Sequence, residues 1–153
     1  MSTSLTAVLQ QVLQNTTNLA VLKELMTADS TYVSLNFDNA ELKKVMPWTG
    51  THKGPQSLPE VFGAIQRFWT TLDFKVTDTL EQGDRVAFFG SFTYKSNATG
   101  REVTSPFSLL ARFEGDKVAY AQVLEDSYGT AGSFKTGGGT RYHSDPSGRE
   151  VEV

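Results

Sequence analysis

The chain has 153 residues, of which 39% are hydrophobic, enough for one domain with a sizeable core. Its net charge is −3 and no run of Lys or Arg stands out, which excludes the clustered basic surface that a nucleic-acid groove needs. Cysteine is absent, which excludes disulfides, thiolate nucleophiles and thiolate-bound zinc. The N-terminal stretch lacks a basic region and carries too many glutamines for a signal peptide, and no apolar run could span a bilayer. A cytoplasmic protein with no membrane partner is expected, and the Asn-X-Thr sequences at Asn15 and Asn97 then carry no glycan.

Leu5, Val8, Leu9, Val12 and Leu13 recur at helical spacing and predict a helix over Leu5 to Gln14, which Asn15 to Asn18 interrupts. A second stripe of Leu19, Leu22, Leu25 and Met26 follows, with Asn18 as its N-cap. Thr31 to Phe37 alternates and predicts a short strand, and Asn39 to Met46 suits one or two helical turns. Pro47 to Pro55 reads as a glycine-hinged loop, PWTGTHKGP, that presents Trp48 and His52 to the rim of a pocket. The next helix runs from Ser57 to Trp69, with Ser57 and Glu60 as a capping box and Pro59 in the first turn. Its buried face is Leu58, Phe62, Ile65, Trp69 and Leu72, with Phe62 and Ile65 nearly fully buried.

From Phe74 the apolar period changes to two. Strands are predicted over Phe74 to Glu81, Arg85 to Lys95, Glu102 to Phe113 and Lys117 to Asp126, joined by turns at Gly83, Gly100 and Gly115. Hairpin-joined strands behind N-terminal helices give an α+β fold with an antiparallel meander, the capped helix lying in its concavity. Val86, Phe88, Phe92 and Tyr94 share one face of their strand, yet Ala87 and Phe89 make the other face apolar too. Helices can cover one face only, so a homodimer is expected, with Ala87, Phe89 and Ser91 meeting the partner and Val86, Phe88 and Phe92 facing the cone, or the reverse. Residues 1–128 are read as the domain and 129–153 as a flexible Gly-rich tail.

The order of these elements resembles the NTF2-like superfamily, in its SnoaL-like branch. The resemblance rests on Ala28-Asp29, the PWTGTHKG stretch, Gly83-Asp84-Arg85-Val86, Thr99-Gly100-Arg101, Ser105-Pro106-Phe107, Gly115-Asp116-Lys117-Val118 and Asp126. It implies a cone-shaped α+β barrel whose curved sheet encloses an apolar cavity, usually in a homodimer built on the sheet's outer face. It implies no single activity, because the family holds isomerases, cyclases, hydrolases, dehydratases and noncatalytic binding domains. Where ketosteroid isomerases keep their general-base aspartate this chain has Leu35 or Asn36, and where polyketide cyclases keep a histidine it has Leu109. The aspartate of the last strand matches as Asp126.

His52 and Asp126 are therefore the expected acid–base pair, the carboxylate fixing the imidazole tautomer. Glu125 competes with Asp126, since adjacent strand residues face opposite sides. Tyr32 and Tyr128 are possible phenol donors, and no spaced cluster suggests a metal or other cofactor. The expected cavity is lined by Tyr32, Trp48, His52, Phe62, Phe88, Phe92, Phe107 and one of Glu125 or Asp126. Three functions fit: a binder of a small apolar, polyketide- or steroid-like molecule, a cofactor-free acid–base enzyme, or a dimerisation module with a filled interior.

Overall fold

The computed structural model describes residues 3–153. Helices α1 (Leu5–Gln14) and α2 (Leu19–Leu25) lead into β1 (Met26–Ser34), α3 (Ala40–Val45), β2 (Gly50–Lys53) and α4 (Ser57–Phe68). The long strands β3 (Trp69–Gln82), β4 (Arg85–Ser96), β5 (Glu102–Glu114) and β6 (Lys117–Glu125) follow. Helix α5 (Ser127–Gly132) and a small hairpin of β7 (Arg141–Tyr142) and β8 (Val151–Glu152) end the chain. Six strands form one curved sheet in the order β2-β1-β6-β5-β4-β3, antiparallel throughout except that β1 runs parallel to β6. The fold is α+β, with the N-terminal helices on the sheet's inner face. No described helix is long and apolar enough to cross a membrane.

Local chemistry accounts for the helices. The side chains of Ser4, Asn18 and Asn39 accept hydrogen bonds from the first-turn amides of α1, α2 and α3. Helix α4 departs from the expected capping box. Its N-cap is Gln56 without a side-chain bond, and Ser57 is buried, its hydroxyl donating to the Gly54 carbonyl at 2.6 Å. The turn Gly54-Pro55-Gln56 already closes on Ser57, whose amide also donates to Gly54, so no side-chain cap is required there.

Helix α4 also ends one residue earlier than expected. Trp69 opens β3, and the aromatic, β-branched run Phe68 to Thr71 favours extended backbone. Leu72 falls in a bulge of β3 and is exposed rather than buried. The stretch around His52 is strand, not loop. Gly50 (φ 110°) and Gly54 (φ 81°) bend the chain at either end, and Tyr32 pairs with His52 across β1 and β2. Past Asp126, α5 packs on the body: Thr130 and Ser133 are buried, and Phe134 stacks on Trp69 at 4.8 Å.

The strand faces divide as the alternation predicts. Val86, Phe88 and Phe92 are buried in the core with Leu9, Leu22 and Val61, while Ala87 and Ser91 are half-buried and Phe89 is exposed on the outer face. Phe62 and Ile65 are only half-buried, contrary to expectation, because they border an open cavity rather than solid core.

Candidate functional site

The inner face of the sheet, α1 and α4 enclose a cavity of about 240 Å³. Six aromatic side chains line it. Phe74, Phe92 and Phe107 come from β3, β4 and β5, with Phe74 and Phe107 stacked at 5.0 Å, and Phe62 closes the α4 side. Gly90 makes that stack possible, because a Cβ there would meet the Phe107 ring and the Lys75 carbonyl. Leu13 of α1, Thr16 just beyond it and Phe74 of β3, which is 49% exposed, also line the cavity.

Three titratable side chains line this cavity: Tyr32 on β1, Tyr94 on β4 and Glu125 at the end of β6. Glu125 Oε2 is buried without a hydrogen-bond partner. Burial pushes the Glu125 carboxyl up to about 7, with a smaller contribution from the neighbouring Asp126 charge, while the Thr130 hydroxyl acts in the opposite direction. The Tyr32 and Tyr94 hydroxyls are held above the ordinary phenol range, by burial first and by Glu125 second, so both are donors at neutral pH. The cavity therefore gathers one carboxyl that can gain or lose a proton near neutrality and two phenols that keep theirs.

A larger groove of about 850 Å³ runs between α3, α5 and the C-terminal hairpin. Its charged lining residues, Glu41 and Lys135, are exposed, so it offers no desolvated reactive group. The smaller cavity is the better candidate for chemistry.

Five of the expected lining residues meet in the cavity: Tyr32, Phe62, Phe92, Phe107 and Glu125. Three do not line it. Phe88 is buried in the core, and Trp48, 4% exposed, packs edge-on against Phe68 and Trp69 at 5.1 Å each. The His52 ring sits 6.5 Å from that of Tyr32, with its Nε2 2.7 Å from the Trp48 carbonyl. Asp126 turns outward and caps α5, accepting from the Gly129 amide at 3.0 Å. His52 and Asp126 share no hydrogen bond or ion pair, so the structure does not assemble them as a pair. The alternation that made Glu125 and Asp126 rivals resolves in favour of Glu125. Tyr128 is exposed on α5, away from the cavity.

Tyr94 and Thr130 were not singled out from the sequence. The period of two places Tyr94 on the face of Phe92, and extending the cavity lining along that face by one more residue finds it. Thr130 lies beyond the last long strand, where no periodicity guides a reading.

A model of the SnoaL-like domain family matches residues 7–121. The chain is 40% identical over 132 residues to Patulin synthesis protein F of Aspergillus clavatus, a match covering 84% of this chain and 67% of that protein. It is 37% identical over 124 residues to Patulin biosynthesis cluster protein F of Penicillium expansum, covering 79% and 62%. The chain thus spans about two thirds of the length of these curated relatives. Among solved structures, an NTF2-like protein of Burkholderia thailandensis matches with a TM-score of 0.73 at 14% identity, over 88% of this chain and 100% of that one, a likeness of fold alone.

Proposed function

The chain belongs to the SnoaL-like domain family, and from that premise we propose that it is an acid–base enzyme acting on a small, uncharged, oxygen-bearing molecule, with Glu125 moving the proton. The observation that carries this reading is the buried, unpartnered Glu125 oxygen at an aromatic cavity. A carboxyl poised near neutral pH is matched to abstracting and returning protons. The ionised carboxylate removes a proton from a carbon next to a carbonyl. Tyr32 and Tyr94 donate to the carbonyl oxygen as charge develops there. The protonated Glu125 then returns the proton to another carbon, giving isomerisation, or to a leaving hydroxyl, giving dehydration.

Size and charge narrow the ligand. A cavity of roughly 150 Å³ holds a benzene, so about 240 Å³ accommodates one substituted ring rather than a fused steroid nucleus. No Lys or Arg lines the walls, so an anionic ligand would lie unpaired beside Glu125. The two curated relatives are named for patulin synthesis, which supports small-molecule chemistry here. The test is deuterium incorporation from D2O next to the carbonyl of a panel of cyclic ketones and enones, followed by proton NMR. Wild-type protein should accelerate exchange for at least one of them and Glu125→Gln should not. Saturable binding without exchange across the panel would favour a carrier instead.

The outer face of the sheet supports the homodimer reading. Leu80, Phe89 and Leu124 are exposed apolar side chains there, with Ala87 and Leu110 between them in register. A stable interface across this face should bury more than about 1,000 Å². Phe89→Glu should convert a dimer in analytical ultracentrifugation to a monomer, and a wild-type monomer at micromolar concentration would refute the dimer.

A further inference from the structure

Gln66, Thr71 and Phe74 are exposed, while the other residues lining the cavity are buried or half-buried. These three therefore mark where it opens. Gln66 stands in the last turn of α4 and Thr71 near the start of β3, on either side of the corner at Trp69. That corner is held fast. The buried Trp69 indole donates to the Ser133 hydroxyl at 2.9 Å. Asn97, just past β4, donates from its backbone amide to the Phe68 carbonyl at 2.9 Å and from its side chain to the Arg67 carbonyl at 3.0 Å. Its side-chain oxygen accepts from the Thr70 hydroxyl at 2.7 Å.

Rigid backbone thus carries two cavity-lining polar groups that are themselves uncommitted. The Gln66 side-chain amide and the Thr71 hydroxyl form no hydrogen bond with any described residue. Gln66 also breaks a pattern. It follows Phe62 by four residues and precedes Trp69 by three, so an amide interrupts the apolar stripe of α4 beside the aromatic walls. Resting on this cavity as the substrate site, we propose that Gln66 is a specificity-determining residue. Together with Thr71 it binds a hydroxyl on the substrate ring, across from the carbonyl that meets Tyr32 and Tyr94.

Chemistry selects that substituent. A primary amide and a hydroxyl each donate and accept, and a ligand hydroxyl does the same, so it can use both capacities of either group. A carboxylate would find no cation, because no Lys or Arg lines the cavity and the neighbouring Arg67 guanidinium lies over the Phe68 ring at 5.7 Å. A hydrocarbon substituent would strip water from the amide and return nothing. Burial sets the orientation. Tyr32 is 4% exposed and Gln66 stands at the opening, so the ring enters carbonyl first and its hydroxyl stays at the rim. The substrate class narrows to a single-ring ketone or enone that bears a hydroxyl on the side away from its carbonyl.

Two ketones test this: cyclohexanone and its derivative hydroxylated across the ring. Binding is measured by NMR titration of isotopically labelled protein, with deuterium exchange followed separately. Wild type should bind the hydroxylated ketone roughly tenfold more tightly, the worth of one or two neutral hydrogen bonds. Gln66→Met keeps the length and removes the amide. It should bring that preference to within about twofold while cyclohexanone binds as before, and Thr71→Val should cause a smaller loss of the same kind. Both positions are exposed, and the amide spectra report whether each variant is folded. Equal or absent binding of the two ketones by wild type, or an unchanged preference in folded Gln66→Met, overturns the Gln66 proposal. A preference that depends on Gln66, without exchange in any ketone of the panel, supports it and removes Glu125 as the proton-moving group.

Discussion

Two regions that both carry candidate site residues treat their polar atoms in opposite ways. From Thr49 to His52, each polar side chain closes on a backbone carbonyl. Thr49 donates to the Met46 carbonyl at 2.9 Å, Thr51 to the Phe37 carbonyl at 3.0 Å, and His52 Nε2 lies 2.7 Å from the Trp48 carbonyl. At the end of β6 the outward Asp126 does the same, but the inward Glu125 leaves an oxygen buried and unpaired. A satisfied buried group stabilises the fold by about 1 kcal/mol, whereas an unsatisfied one costs about 1–3 kcal/mol. The first region is built for stability. The second retains a destabilising feature, as Thr27, Ser30 and Asn36 do elsewhere in the chain, but of these atoms only the Glu125 oxygen belongs to a residue lining the cavity.

The sharpest way to break this comparison is kinetic. Glu125→Gln should lower the rate of deuterium exchange by about 10²- to 10⁴-fold, the contribution of a positioned acid or base. Equal rates in the two proteins would mean that the unpaired oxygen has no catalytic use. Trp48→Ala should do the converse. It should cost about 3–5 kcal/mol of stability, as large aromatic deletions in cores do, and leave exchange per folded molecule unchanged. Urea unfolding beside the exchange assay separates the two effects.

A third expectation concerns pH. Glu125 titrates higher in the folded chain, at about 7, than its ordinary value of 4.5. The folded state therefore binds more protons between those values. Stability contributed by the protonated carboxyl is complete below about pH 4.5 and is lost as pH rises toward 7. The loss is on the order of 3 kcal/mol for a shift of this size. Glu125→Gln should abolish most of this slope and be the more stable protein at pH 8. Parallel stability curves for the two proteins between pH 4 and pH 8 would contradict the assignment.

The fold was legible where apolar period and turn residues agree. The α1 stripe, the Asn18 cap and the β3 to β6 meander all follow from short-range pattern. Less legible were features set by partners distant in sequence. Trp69 continues a helical stripe, yet it opens β3, and its indole donates to Ser133, 64 residues away. Phe62 and Ile65 carry a core-like pattern that cannot reveal that they face open space. Alternation reduced the carboxylate question to Glu125 or Asp126, but only the corner into α5 decided it. His52 misled because a titratable ring between two glycines suits a rim loop, whereas β-pairing with Tyr32 made the segment a strand.

The smallest effect is expected at His52, and it tests the comparison from the other side. Because a carbonyl can only accept, the contact with Trp48 requires a proton on Nε2, so His52 is the donor. His52→Ala leaves a partly buried carbonyl without that donor and should cost about 1 kcal/mol. The ring reaches the cavity only through Tyr32, so exchange should change by less than about threefold, a few tenths of a kcal/mol. His52→Gln, which still offers a donor, should recover part of the stability. A loss of exchange in His52→Ala approaching that of Glu125→Gln, with the fold intact, would show that the β2 segment belongs to the reacting machinery and that the division drawn between the two regions is wrong.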